Sequence, residues 1–401
     1  MKLSHVRLLA IGCSARAWHR SVPLPHSAVL SCGGIRISRR GNRCSTRNMS
    51  RGRRTPTAVG TGFDTALQGS QQDEVQERRG KGTIKVIYDE VFLKHRPPPG
   101  HPHPECPARV STARNELDRL EGIEWATPSS LRSEKGRERT LAAIERVHNA
   151  EYLEEVRRVC AKGGGAADFD TYICPDTFEV CVAASSAWMD AAESAMGGSP
   201  AFALARPPGH HATAGVGMGF CLVCFAAVAA FHALDALGCG RVAMLDFDVH
   251  HGNGVAALVK GDARIRYCSI HQGGIFPGSG GAEDSGPLGN LKHLPFFGVD
   301  EKWETYEPQF EEAVKWLEEF EPDLVLVSAG YDALEADELA TASLQPNDYG
   351  RMGKRLKEVF GSKVAFGLEG GYNLQARAKH GEGVTPVAIR ATIEPFFYRG
   401  A

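Results

Sequence analysis

Residues 1–63 contain no aspartate and no glutamate; the first acid is Asp64. Long apolar runs are missing too. None approaches the ~20 residues that cross a bilayer, so no membrane-spanning helix is expected. The eleven cysteines are scattered and follow no small disulfide framework, which points to free thiols in a reducing compartment. An excess of charge of one sign is lacking over the whole chain. A formal net charge of -2 gives no electrostatic reason for the protein as a whole to bind nucleic acid. No internal repeat is present.

What the acid-free stretch does contain is arginine: Arg7, Arg16, Arg20, Arg36, Arg39, Arg40, Arg43, Arg47, Arg51, Arg53 and Arg54, with many serines between them. Arg-rich, Ser-rich and acid-poor is the composition of an organellar transit peptide. The apolar patch at residues 8–11 is too short for a secretory core. Import into a chloroplast or mitochondrion is therefore expected. The alternative is a disordered basic tail that stays on a cytoplasmic protein and binds nucleic acid or acidic partners. Residues 64–82 are polar and Gly/Gln/Glu-rich and read as a linker. That leaves residues 83–401 as one catalytic domain.

From residue 83 the chain reads as a folded α/β protein. Residues 85–88 form a short strand candidate, and the prolines of 97–104 then force an irregular loop. Helices are expected over 108–120 and 141–159, and a small-residue-rich buried helix over 181–196. Apolar strands covered on both faces are expected at 201–205, 241–245, 265–270, 324–328 and 363–368. Helices at 226–237 and 306–320 separate several of them. This alternation predicts a mostly parallel sheet with helices on both faces. Nearly every candidate strand runs into polar, Gly-rich sequence: RPPGHH, DFDVHHGNG, SIHQGG, SAGYD and LEGGYN. Ligands bind at the carboxyl ends of strands in such sheets.

The segment after the 241–245 strand carries Asp248 and His250, two residues apart. In extended chain their side chains share a side and can share a metal. Asp332, just after the 324–328 strand, offers a third ligand. Two carboxylates and a neutral imidazole balance a divalent cation and leave a fourth position for water, as catalytic zinc sites do. The oxygen-rich set also admits Fe(II), Co(II) or Mn(II). Any one such residue alone is more often a cap or surface group; three at one edge are harder to explain so.

His210 and His211, after the rigid Pro207-Pro208-Gly209 turn, suit general acid and base roles near neutral pH. Asp246 and Asn253 are the candidates to orient their far ring nitrogens. Tyr372, in Glu369-Gly370-Gly371-Tyr372-Asn373, can donate to a polarised carbonyl oxygen. Phe220 and Phe276 suit the walls of a narrow slot for a thin aliphatic chain, although either could be core.

These strings resemble the histone deacetylases and their acetylpolyamine-hydrolase and acetoin-utilisation relatives. RPPGHHA, GMGFC, LDFDVHHGNG, IFPG, SAGYDA and LEGGYN occur in that family's order, with HPECPAR at 103–109 and HNAEYL at 148–153 upstream. The resemblance spans residues 88–390, and joint occurrence makes it specific. Asn253 and the Tyr331-Asp332 pair lean toward class II.

The resemblance implies a three-layer α/β arginase/deacetylase-type fold with a mostly parallel central sheet. It implies zinc on Asp248, His250 and Asp332, and catalysis by His210, His211 and Tyr372, with Asp246 and Asn253 behind the histidines. An acyl-lysine channel follows from Gly219, Phe220, Phe276 and Leu339, with Arg109 behind it. A structural potassium matches Asp246, Asp248, His250 and Ser269. The implied reaction is hydrolysis of N-acetyl-lysine in proteins by metal-activated water. Small acetylated amines such as acetylpolyamines are the alternative substrate, for which Glu338 lies near the mouth, and a catalytically weak acyl-lysine-binding module is a further alternative. No nucleic-acid or membrane partner is expected for the catalytic domain.

A two-metal ureohydrolase of the same fold would need another carboxylate at position 252, where this chain has Gly252. Two departures stand out. Cys224 and Phe225 replace a paired Asn of the class II pattern, and the rim aspartate has only Asp168 and Asp170 nearby. Cys221 and Cys224 form a lone CxxC, which is weak evidence for metal or redox chemistry.

Overall fold

The structure is a computed structural model, and it describes residues 82–376 and 383–397. The leader of residues 1–63 and nearly all of the linker expected at 64–82 lie outside the described residues. Eight strands make one all-parallel sheet: β1 (Ile84–Ile87), β2 (Ile123–Ala126), β3 (Ala201–Ala203), β4 (Val242–Asp246), β5 (Ile265–Gln272), β6 (Leu291–Phe296), β7 (Leu324–Ala329) and β8 (Val364–Leu368). Their spatial order is β2-β1-β3-β8-β7-β4-β5-β6. The central strands β3, β4, β7 and β8 are buried along their whole length. Continuous apolar runs such as Leu324–Ala329 are what helices on both faces of a parallel sheet require.

The buried helix Thr177–Met196 packs on this sheet with Ala, Ser and Cys along most of its length. Small side chains let its backbone approach the strands closely. At Gly367 in β8 the Trp188 indole occupies the space a Cβ would fill. The amphipathic helix Trp303–Glu318 buries Tyr306, Phe310, Val314 and Leu317 and leaves its acids in water.

Two elements depart from the sequence reading. The single helix expected over 141–159 is two helices, Glu134–Glu145 and Ala150–Ala161. Between them His148 Nε2 accepts the Cys224 N–H at 3.0 Å, and the Asn149 N–H donates to Ala214 carbonyl oxygen at 2.7 Å. These long-range bonds outweigh the helical periodicity of the linking residues. The edge strands β2 and β6 were not anticipated; β2 is only half-buried, so its apolar signal is weak.

Candidate active site

All eight strands run the same way, so their carboxyl ends share one edge. The loops after β3, β4, β7 and β8 meet there. Four of these strands are neighbours in the order β3-β8-β7-β4, which brings segments up to 160 residues apart into hydrogen-bonding range.

Asp248 and His250 follow β4, and Asp332 follows β7. One ligand atom from each lies within 4.8 Å of the other two. His250 Nδ1 sits 3.2 Å from Asp248 Oδ1 and 3.0 Å from Asp332 Oδ2. Backbone donors aim the carboxylates. Gly370 N–H donates to Asp248 Oδ2 at 2.8 Å, and Val249 N–H donates to Asp332 Oδ1 at 3.0 Å. A side chain at position 370 would overlap both carboxylates, so glycine lets the β8 loop close over them.

The electrostatics call for a cation between the acids. Burial and the Asp248 charge push the Asp332 carboxyl up to about 7. Burial opposes charge on His250, but its bonds to Asp248 and Asp332 outweigh that and raise it to about 10. Two buried carboxylates thus hold a proton on Nδ1 where a divalent ion would bring more charge. The donor set, two carboxylate oxygens and one imidazole nitrogen, fits zinc with one position left open.

The histidine pair lies alongside. His210 Nδ1 donates to Asp246 Oδ2 at 3.0 Å, and His211 Nδ1 donates to Asn253 Oδ1 at 2.8 Å. Their surroundings differ in sign. Burial disfavours charge on His210, but Asp248 and Asp246 outweigh it and raise its pKa well above the usual value. Burial lowers His211, and the neighbouring His210 and His250 lower it further. Asp246 also accepts the Tyr267 hydroxyl at 2.8 Å on the same Oδ2, while its Oδ1 accepts the Asp248 N–H at 3.2 Å.

Tyr372 stands half-buried after β8. Its backbone N–H donates to Asp337 Oδ2 at 2.6 Å, and its ring packs edge-on to Phe220 at 5.4 Å. The Arg109 guanidinium lies 4.5 Å from the ring centroid and donates through Nε to Gly371 carbonyl oxygen at 2.8 Å. Gly219 and Phe220 both have positive φ, 56° and 68°. For phenylalanine this is a strained conformation. Thr171 Oγ1 accepts the Phe220 N–H at 2.9 Å and holds it.

These residues line a cavity of about 190 Å³, walled by Phe169, Asp170, His211, Gly219, Phe220, His250, Phe276, Leu339 and Tyr372. Asp168 is spent on local bonds to the Asp170, Thr171 and Gly219 backbone; Asp170 Oδ1 has no protein partner. Ser269 is the register partner of Asp246 across β4 and β5, with its hydroxyl 2.9 Å from His271 Nδ1. Position 252 admits no carboxylate, since a Cβ there would overlap Tyr267 Oη and Asp246 Oδ2.

Three supporting residues were missed as site residues. Glu369 Oε2 accepts the Gly209 N–H at 2.6 Å and the His210 N–H at 3.2 Å, tying the histidine loop to β8. Asp337 holds the backbone of Tyr372 and Asn373. Glu105 pairs with Arg206 through Nε at 2.7 Å, fully buried, and anchors the segment that carries Arg109. The signal was an acid or arginine inside otherwise apolar or Gly-rich strings (HPECPAR, ARPPG, LEGG), where a buried charge needs a partner.

An all-parallel α/β sheet with this loop edge defines the arginase/deacetylase-type fold. Within it the chain belongs to the histone deacetylase family: the histone deacetylase domain profile matches residues 103–387. It is 43% identical over 302 residues to the uncharacterized protein slr0245 of Synechocystis sp., covering 74% of this chain and 96% of that one. It is 36% identical over 298 residues to histone deacetylase 14, chloroplastic, of Arabidopsis thaliana, covering 68% and 70%. The crystal structure of the HDA15 HD domain superposes with a TM-score of 0.71 at 30% identity, covering 79% of this chain and 90% of that one.

Proposed function

We propose that this chain is a zinc-dependent deacetylase that hydrolyses N-acetyl-lysine in proteins. The observation that carries the reading is that His211, His250 and Tyr372 line one aromatic-walled cavity, with Asp248 and Asp332 bonded to His250 and His210 packed on His211 behind it. A zinc ion on the triad supplies a Lewis acid that polarises the acetyl carbonyl and activates water.

The chain's own residues do the rest. Phe220 and Phe276 exclude water from the aliphatic stem of the lysine. His211, kept neutral, takes the proton of the attacking water through Nε2, because Asn253 occupies Nδ1. His210, backed by Asp246, stays protonated and offers positive charge to the developing oxyanion. Environments that push two histidines apart let one carry charge while its neighbour stays free to take and return a proton. The Tyr372 hydroxyl, raised well above its ordinary pKa by burial, stays a donor and bonds to the same oxygen. The proton on His211 then passes to the leaving amine. Asp170 lines the cavity, and its unpartnered Oδ1 is buried, so it would reach a backbone N–H of a bound peptide only by turning outward. Asp246 and Ser269, with the Asp248 and His250 carbonyls, would take the structural potassium that the resemblance implies.

Small acetylated amines form a second reading, favoured by one feature. A cavity of about 480 Å³ adjoins Tyr372 and is lined by Asp337 and the exposed Glu338, an acidic setting for a cationic chain. Assaying the full chain on acetyl-lysine peptides and acetylated polyamines side by side separates the two. Peptide turnover is expected. Turnover of polyamines alone, lost in Glu338→Leu, would replace the protein reading.

The Arg/Ser-rich, acid-free leader and the chloroplastic relative together support import into an organelle, a plastid rather than a mitochondrion.

A further inference from the structure

The carboxyl edge of the sheet holds a second group of metal-ligating side chains. His210, Cys221 and Glu369 each present one ligand atom, and these atoms lie within 4.8 Å of one another. They come from three segments: the loop after β3, the turn at 218–221 and the end of β8. All three are buried, with Cys221 and Glu369 at 0% exposure.

Their existing bonds leave the inward atoms available. Cys221 Sγ has only a long contact to Gly219 carbonyl oxygen at 3.4 Å and a bond with the His211 backbone. His210 spends Nδ1 on Asp246, and its Nε2 has only the Asp248 carboxylate, 3.7 Å away. Glu369 uses Oε2 on two backbone N–H groups, while Oε1 meets only the Ser328 hydroxyl at 3.2 Å. Metal bonds of about 2.0–2.3 Å can close this span with small side-chain movements.

We propose that His210, Cys221 and Glu369 form a second, inhibitory metal site for a thiophilic divalent cation such as Zn²⁺ or Cd²⁺. The donors differ in kind from the triad, which has no sulfur. A thiolate selects softer ions than two carboxylates do. Binding expels the Cys221 thiol proton and the His210 Nε2 proton to solvent. It also occupies His210 Nε2, which faces the reacting centre, so an enzyme filled at both sites is inactive. The triad fills first because its two carboxylates already face a single imidazole at 3.0–3.2 Å. The site itself goes beyond the deacetylase reading and does not need it, since it can be seen optically; its inhibitory effect rests on that reading.

The test titrates the metal-free full chain with Co²⁺. The first equivalent should give only ligand-field bands. The second should add a near-ultraviolet thiolate-to-cobalt charge-transfer band. Cys221→Ser should lose that band and keep the first equivalent; Cys106→Ser, at a partly exposed cysteine elsewhere, should keep both. A second equivalent of Cd²⁺ should abolish turnover in the wild type and spare Cys221→Ser. Absence of the sulfur band at two equivalents, or its persistence in Cys221→Ser, would overturn the site. Should Cys221→Ser not fold, X-ray absorption of the wild type with two Cd²⁺ decides: a sulfur neighbour supports the site, and a shell of oxygen and nitrogen alone overturns it. A sulfur band in a protein that hydrolyses no acetyl amide leaves this site standing and removes only the deacetylase reading.

Discussion

At the scale of single residues, Tyr372 and Asp332 test the chemistry most sharply. A phenol aimed at an oxygen that becomes an oxyanion stabilises it only as the charge develops. Tyr372→Phe keeps the ring that packs on Phe220 and Arg109 and deletes the hydroxyl alone. It should fold, keep its metal, bind substrate with nearly unchanged KM and lose about 10²–10³ in kcat, roughly 3–4 kcal/mol. Wild-type kcat in the metal-loaded variant would leave Tyr372 with a packing role only. Asp332→Ala leaves two protein ligands, too few to hold zinc well. Bound zinc and turnover should fall together in metal analysis of the purified protein. Stoichiometric zinc in that variant would mean the third ligand lies elsewhere.

At the scale of elements, the Glu105–Arg206 pair clamps the Pro-rich segment 97–107 to the end of β3. Both groups are fully buried, and Tyr172 donates its hydroxyl to Glu105 Oε2 at 2.8 Å. Removing one charge strands the other, so Glu105→Gln should cost about 3–5 kcal/mol, read as a lower denaturant midpoint. The pair also sets an acid limit. Burial alone would raise the Glu105 carboxyl, but Arg206 outweighs it and holds it at about 2, below its ordinary 4.5. A depressed carboxyl contributes stability fully above the unfolded value and loses it as pH falls through the folded one. Wild-type stability should therefore drop between about pH 4.5 and pH 2, and Glu105→Gln should flatten that limb. An unchanged acid limb would place the loss on other carboxylates.

At the scale of the whole molecule, the first described strand is Ile84–Ile87, and the arginine-rich stretch expected to be a transit peptide precedes it in sequence. Fusing residues 1–82 to a fluorescent protein should send it into plastids, with the leader removed from the mature chain. Diffuse cytosolic or nuclear fluorescence would favour the retained basic tail instead. Among the described residues no helix is long and apolar enough to cross a membrane.

The sequence by itself determined the parallel α/β plan and the position of its reactive edge. Period and flanking chemistry are local: apolar runs such as 324–328 read as doubly covered strands, and a polar Gly-rich string after nearly every one marks its carboxyl end. The spacing of Asp248 and His250 was legible for the same reason, since side chains two apart in extended chain face one way. Tertiary structure decided what no local pattern encodes. Strand order placed β8 between β3 and β7, so Glu369 could hold the His210 loop and Gly370 could close on Asp248 and Asp332. It also broke the helix expected over 141–159, through bonds from His148 and Asn149 to residues more than 60 positions away. Burial, too, is a property of the assembled fold. Only there do two adjacent histidines part, the pKa of His210 raised by two carboxylates and that of His211 lowered by burial and its neighbouring imidazoles.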